Sequence, residues 1–179
     1  MSKKITLTEL KKHLRKKSDV ELVEEIADLY KKFDSVKEYY RASFFNDDEV
    51  VLQKYKDVIT EEFFPRSLHA DPKARLSVAR KAVRDYKKVS CSDAGYAEIM
   101  LHYVEVGIEF ANTYGDIDSP FYSSMATMYF DTANFIHTHK MVDQFQERLY
   151  KMVNDTQDFG WGFHDSLAET YYEIISPEE

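Results

Sequence analysis

The sequence predicts an all-α protein of about eight helices, and three observations carry that prediction. Apolar residues recur at i, i+3, i+4 and i+7 along almost the whole chain, and no stretch alternates with period two. Glycine and proline are scarce, five and four in 179 residues, too few for the many tight turns of an all-β fold. Where the apolar stripes begin stand Ser, Thr or Asp residues suited to capping a helix. With 44% hydrophobic residues the chain suffices for one domain over 1–179, burying roughly 70% of its unfolded surface.

The first helix is expected over Leu7–Lys17, with Leu7, Leu10 and Leu14 on one stripe behind a Thr6-x-x-Glu9 capping box. A second box, Ser18-x-x-Glu21, opens a long helix whose stripe of Leu22, Ile26, Leu29, Phe33, Val36 and Tyr40 runs to about Phe45. The acidic residues up to Glu49 suit a helix N-terminus through its dipole, and Val51, Leu52, Tyr55, Ile59 and Phe63 form the inner face of the third helix. Pro65 stops that helix, and the polar stretch to Ala70 separates the N-terminal helices (1–64) from the rest (71–175) without an independent linker.

Asp71-Pro72 reads as the N-cap and first position of a fourth helix carrying Leu76, Ala79, Val83 and Tyr86. The fifth follows Ser90 to Asp93, and its broad stripe, including Tyr103, Val104, Ile108 and Phe110, places it at the centre. Gly115 ends it as a left-handed C′ residue, and Asp118 or Ser119 caps a sixth helix with Phe121, Met125, Met128 and Tyr129 facing inward. The break at His137-Thr138-His139-Lys140 holds neither Gly nor Pro. A seventh helix uses Val142, Phe145, Leu149 and Met152, and an eighth, after Gly160-Trp161-Gly162, carries Leu167, Tyr171 and Ile175. Helices four to seven form two consecutive antiparallel hairpins of about 40 residues each, compatible with a short solenoid-like stack or with an irregular bundle.

Charge is unevenly placed. Residues 1–17 hold seven Lys or Arg against one acid, a local +6, while the remainder holds 17 basic and 31 acidic residues, a local −14. The net −8 disfavours nucleic acid and anionic membrane except at that basic end. One cysteine, Cys91, excludes an intrachain disulfide and a Cys-cluster metal site, which points to a reducing cytosol. It reads as a small, inert, partly buried side chain. Apolar stretches are interrupted by charges well before the ~18 residues of a membrane span, and the Lys-rich start lacks the apolar run of a signal peptide.

Several constellations are candidate sites. Lys4, Lys11, Lys12, Arg15 and Lys16 offer a basic surface for phosphates, although the competing expectation is that Leu7, Leu10 and Leu14 dock on the body while the lysines are solvated. His102, Glu105 and Glu109 lie along one side of the fifth helix, the spacing a carboxylate-bridged metal would use, but the matching second helix of such a site is not evident. The string Asn112 to Pro120 fails as a calcium loop because Pro120 occupies a ligand position, and reads as helix punctuation with Asp116 locking the turn. Trp161, the single tryptophan, is expected to plug the end of the core between its two glycines; exposed, it would instead be a binding anchor. His164 beside Asp165 suggests acid-base work, but adjacency in sequence does not orient a base.

Four strings together carry a resemblance: Val36-Lys37-Glu38-Tyr39-Tyr40, Glu61-Glu62-Phe63-Phe64-Pro65, Phe110 through Asp118, and Gly160-Trp161-Gly162-Phe163-His164-Asp165. With them the chain resembles a family of uncharacterised bacterial proteins classed only as a domain of unknown function. The likeness spans nearly the whole chain, and the two later strings are its more specific part. It implies a compact all-helical protein and supplies no activity, substrate, cofactor or catalytic residue.

No catalytic constellation assembles from these residues, and no cofactor is implied. The reading is a cytoplasmic, non-enzymatic helical interaction or scaffold module whose partner is another protein, with Trp161, Phe163, His164, Asn112 and Tyr114 as binding candidates. Nucleic-acid binding through the basic first helix is the alternative, and a metal or small-molecule enzyme on the fifth helix is the third reading. A membrane partner is not expected.

Overall fold

A computed structural model of the protein describes residues 5–44, 47–67 and 70–177. Among the described residues the chain forms nine α-helices and no strand: α1 (Leu7–Leu14), α2 (Asp19–Lys32), α3 (Asp34–Phe44), α4 (Asp48–Phe63), α5 (Leu76–Val89), α6 (Asp93–Tyr114), α7 (Ser119–Thr138), α8 (Val142–Asn154) and α9 (Phe163–Thr170). A π turn over Tyr171–Ile175 closes the last helix, where the Ser176 N–H reaches back five residues to the Tyr171 carbonyl at 3.0 Å.

Local signals place most of these ends. Thr6 and Ser18 accept hydrogen bonds from the backbone N–H of Glu9 and Glu21, whose carboxylates accept in return from the Thr6 and Ser18 backbone, so both capping boxes form. Asp118 caps α7 through the Phe121 N–H at 2.9 Å, and Gly115 ends α6 at φ +89°. At the break after α7, Lys140 itself takes the left-handed conformation, φ +58°.

Two boundaries depart from the sequence expectation. The long helix expected from Ser18 to about Phe45 is interrupted at Phe33, whose extended backbone (φ −125°, ψ 120°) lets α3 turn inward and bury Glu38 and Ala42. The fourth helix begins at Leu76 rather than Pro72. The chain before it is held in a non-helical turn with Ala74 at φ +44°: the Lys73 and Ala74 N–H groups both donate to the Glu62 carbonyl (3.2 and 2.8 Å), and the Arg75 Nε donates to the Glu62 carboxylate at 2.8 Å. These bonds satisfy the C-terminal end of α4 and take the segment out of helical register.

The core surrounds α6, which packs on α4, α5, α7 and α8. Tyr103, Phe110 and Met128 are buried, as the sequence stripes require. Phe63, Phe110 and Phe121 form a mutual cluster with centroids 5.4 to 6.4 Å apart. Close approach of helices to α6 is permitted by Gly95, against Tyr86, and by Gly107, against Met125.

The N-terminal helices behave differently. Neither α1 nor α2 buries a residue, and Leu7, Leu10, Val20, Val23 and Ile26 are all exposed. Leu14 is half-buried, but the expectation that Leu7 and Leu10 dock on the body with it is overturned, because α2 leans on α3 and α1 makes no substantial contact with the helices of the core.

Candidate functional site

The α6–α7 connection (115–118) and the α8–α9 connection (155–162) meet at one end of the helical body. The link is a side-chain pair: the Trp161 indole N–H donates to both carboxylate oxygens of Asp116, at 2.9 and 3.1 Å. Trp161 has φ +61° and Gly162 φ +66°, consecutive left-handed residues, of which only the glycine adopts that conformation freely. For Trp161 the conformation costs on the order of 1 kcal/mol, which the Asp116 bonds and the turn must offset. The indole stays 60% exposed. Trp161 is thus not the core plug expected from its flanking glycines.

Phe163, two residues on, takes the inward position instead. It is buried against Tyr122 and Phe159, with centroids at 5.2 and 6.0 Å, and so is removed from the binding candidates. His164 is half-buried, and its Nδ1 lies 3.1 Å from the Val153 carbonyl and 3.4 Å from the Thr156 hydroxyl, a position that serves the end of α8 rather than a reaction. Tyr114, on the last turn of α6, is exposed with its ring tilted on Phe110 at 4.7 Å. Asp116 does not lock its own turn; its carboxylate belongs to Trp161.

Asn112 opens onto a separate groove of about 460 Å³ between α6 and α8. Charged side chains line it, among them two ion pairs, Arg148 with Glu105 and Lys151 with Asp155. Arg148 grips Glu105 through two bonds (3.0 and 2.9 Å) and Glu98 through a third (2.6 Å), while Lys56 reaches Glu98 at 2.9 Å. Burial pushes the Glu98 carboxyl up, but Arg148 and Lys56 outweigh it and hold it below the usual carboxylate value. His102, one turn from each glutamate, shares a hydrogen bond with the Thr60 hydroxyl at 2.9 Å. Burial, reinforced by Lys56, depresses its pKa and favours the neutral ring.

These bonds answer the metal pattern read along α6. Glu105 is engaged by Arg148 and His102 by Thr60, whereas Glu109 is exposed. Among the described residues no group of three His, Cys, Asp or Glu side chains is placed to hold a metal ion. Of the basic residues at the start, Lys11, Lys12, Arg15 and Lys16 are exposed on or beside α1, and Lys4 lies outside the described residues. Cys91 is exposed rather than partly buried, with its Sγ 3.5 Å from the Ser43 hydroxyl. Among the described residues no helix is long and apolar enough to cross a membrane.

Comparison with protein families decides the affiliation, for residues 1–174 match the family of unknown function DUF6155. The chain belongs to that family. No curated protein and no solved structure gives a significant match. The DUF6155 match takes in both α1 and the Trp161 end, so all nine α-helices among the described residues fall within the family region. Two features of this DUF6155 chain had no local signal in its sequence: the partner of Trp161 lies 45 positions away, and the partners of Arg148 lie 43 and 50 positions away.

Proposed function

We propose that the protein is a non-enzymatic binding module that takes a basic segment of a partner protein at the Trp161 end. A single observation supports this most: a tryptophan held in a left-handed backbone conformation, with its N–H fixed by a carboxylate and its ring left 60% exposed. Strain of this kind persists where the surroundings over-determine it, and a rigid exposed indole loses little entropy on binding. Tryptophan is the residue most often found as an interface anchor. Its ring face attracts an Arg or Lys side chain by cation–π interaction, and Asp116 beside it supplies negative charge. The −14 carried by the chain after residue 17 draws the same class of partner.

Asp116 joins the Phe110–Asp118 string to the Gly160–Asp165 string, so the two most specific strings of the family resemblance meet at one surface. An enzyme on α6 has less support, since His102 and Glu105 are already engaged. Nucleic-acid binding through Lys11, Lys12, Arg15 and Lys16 is the competing proposal. We also take the protein to be bacterial, on the resemblance, and cytoplasmic, on its one exposed thiol.

Because Trp161 is the single tryptophan, its fluorescence reports the site directly. An arginine-rich peptide is expected to perturb the emission saturably, and an acidic peptide of equal length is not. Asp116→Ala is expected to weaken the binding at least ~5-fold, about 1 kcal/mol, and Trp161→Ala to abolish it in a calorimetric titration. Absence of any response to basic peptides overturns the reading. A salt-dependent shift of random DNA or RNA that is lost on substituting Lys11, Lys12, Arg15 and Lys16 would favour nucleic acid.

A further inference from the structure

We infer that the furrow between α5 and α7 binds single-stranded nucleic acid, taking phosphates on Arg80, Arg84 and Lys87 and a base on the aromatic pair Phe135 and His139. The inference is independent of the Trp161 site and of the basic first helix.

Helical spacing puts Arg80, Arg84 and Lys87 within about 60° of one another along one edge of α5. That edge faces α7, because the Arg80 Nη1 donates to the Ser124 hydroxyl at 3.3 Å and the Lys87 ammonium lies 5.8 Å from the Phe135 centroid. The single acid of α5, Asp85, stands on the far edge, where Lys81 and Lys88 both donate to it. The central helix α6 floors the furrow with Tyr96 and Tyr103, and it turns Glu98 and Glu105 the other way, to Lys56 of α4 and Arg148 of α8.

The three cations are therefore left without a counter-charge. Although acids outnumber bases 32 to 24 in the chain, none of the three forms an ion pair among the described residues. Neutral groups steady them instead. Arg80 rests on Ser124, whose hydroxyl is fixed by that of Tyr103 at 2.8 Å, and Lys87 lies over the Tyr96 ring, 4.3 Å from its centroid. A cation held by a hydroxyl or a ring keeps its full charge for an outside anion, and its side chain is ordered before that anion arrives.

At one end of this stripe the aromatic groups gather. Phe135 is half-buried and edge-on to Tyr96 at 5.0 Å, and the exposed His139 ring lies on it at 3.9 Å. The His139 Nδ1 stands 2.8 Å from the Phe135 carbonyl, which sets the ring's orientation. Cations spaced over roughly 10 Å of helix and ending on an aromatic stack suit a strand whose phosphates and unstacked bases both need partners. An acidic peptide would use the cations and leave the rings idle, and a duplex would offer no free base face. Asp131, the single acid of α7, is exposed on the edge that carries Ser124 and Phe135 and opposes the phosphates.

The test titrates the full-length chain into a short fluorescein-labelled single strand of mixed sequence and follows anisotropy at several salt concentrations. Three phosphate contacts predict a slope of about −2 in log K against log salt. Arg84→Gln and Lys87→Gln are each expected to weaken binding and to reduce the slope to about −1.4. His139→Ala should weaken binding at least ~5-fold with the slope unchanged, and Asp131→Asn should tighten it at least ~2-fold. All four positions are exposed, so thermal unfolding of these variants should match the parent. Absence of binding overturns the inference, as does binding that ignores Arg84→Gln and Lys87→Gln but is lost on substituting Lys11, Lys12, Arg15 and Lys16. A strand indifferent to His139→Ala also overturns it, and so does a duplex or an oligoglutamate bound as tightly as the strand.

Discussion

The Trp161 indole N–H is held by the Asp116 carboxylate at 2.9 and 3.1 Å, joining two loops 45 residues apart while the ring stays in solvent. A tryptophan so placed contributes little to the core. Trp161→Ala is expected to change unfolding free energy by less than about 1 kcal/mol, where a buried plug would cost ~3 kcal/mol or more. Emission of the parent protein should lie at the long wavelength of solvated indole and be readily quenched by iodide. Blue-shifted, protected fluorescence would contradict the exposed geometry.

Phe110 provides the opposite case. It is buried at the junction of α4, α6 and α7, against Phe63 and Phe121. Phe110→Ala is expected to cost about 3–5 kcal/mol in chemical unfolding. A loss below ~1 kcal/mol would show that the aromatic cluster is not central.

Gly95 sits where α6 passes the Tyr86 hydroxyl. A Cβ at this position would collide with that hydroxyl and stand 3.0 Å from the Asp48 carboxylate, to which Tyr86 donates at 2.8 Å. Gly95→Ala should therefore destabilise by roughly 1–3 kcal/mol, despite the higher helix propensity of alanine. A stabilised variant would mean that Tyr86 has room to move.

Arg148 neutralises two carboxylates two turns apart on α6. Arg148→Met leaves Glu98 and Glu105 facing one another with only Lys56 as counter-charge. The expected loss is about 1–2 kcal/mol, below the roughly 3–5 kcal/mol of a fully buried broken pair, because about a third of the Arg148 side chain meets solvent. Thermal unfolding at low and high salt checks this, and a variant as stable as the parent would reduce the seam to surface decoration.

His102 makes stability depend on pH. Burial and the nearby Lys56 lower its pKa in the folded chain, so the unfolded chain binds that proton more readily. This contribution is complete above the ordinary histidine value of about 6.5 and is lost progressively as pH falls below it, down to the folded-state value. His102→Asn should flatten the urea midpoint between about pH 6.5 and 5 relative to the parent. An unchanged slope would place the acid sensitivity elsewhere.

What the sequence determined by itself was local. The capping boxes at Thr6 and Ser18, the Asp118 cap and the Gly115 terminus were legible because each satisfies backbone groups within about four residues. The inward positions of Tyr103, Phe110 and Met128 followed from helical periodicity, since those stripes have helices on more than one side to bury against. The same periodicity misled at Leu7 and Leu10, for a stripe records that a helix is amphipathic and not what covers it. Tertiary structure alone decided the break at Phe33, the non-helical chain drawn to Glu62 before α5, the grip of Arg148 on α6, and the exchange by which Phe163 turned inward and Trp161 outward. Apart from the break, where α3 turns in to pack on the body, each depends on a partner that sequence spacing does not reveal, or on two neighbouring aromatics competing for one buried position. Long-range complementarity of shape and charge settles such choices, and it exists only once the helices have packed.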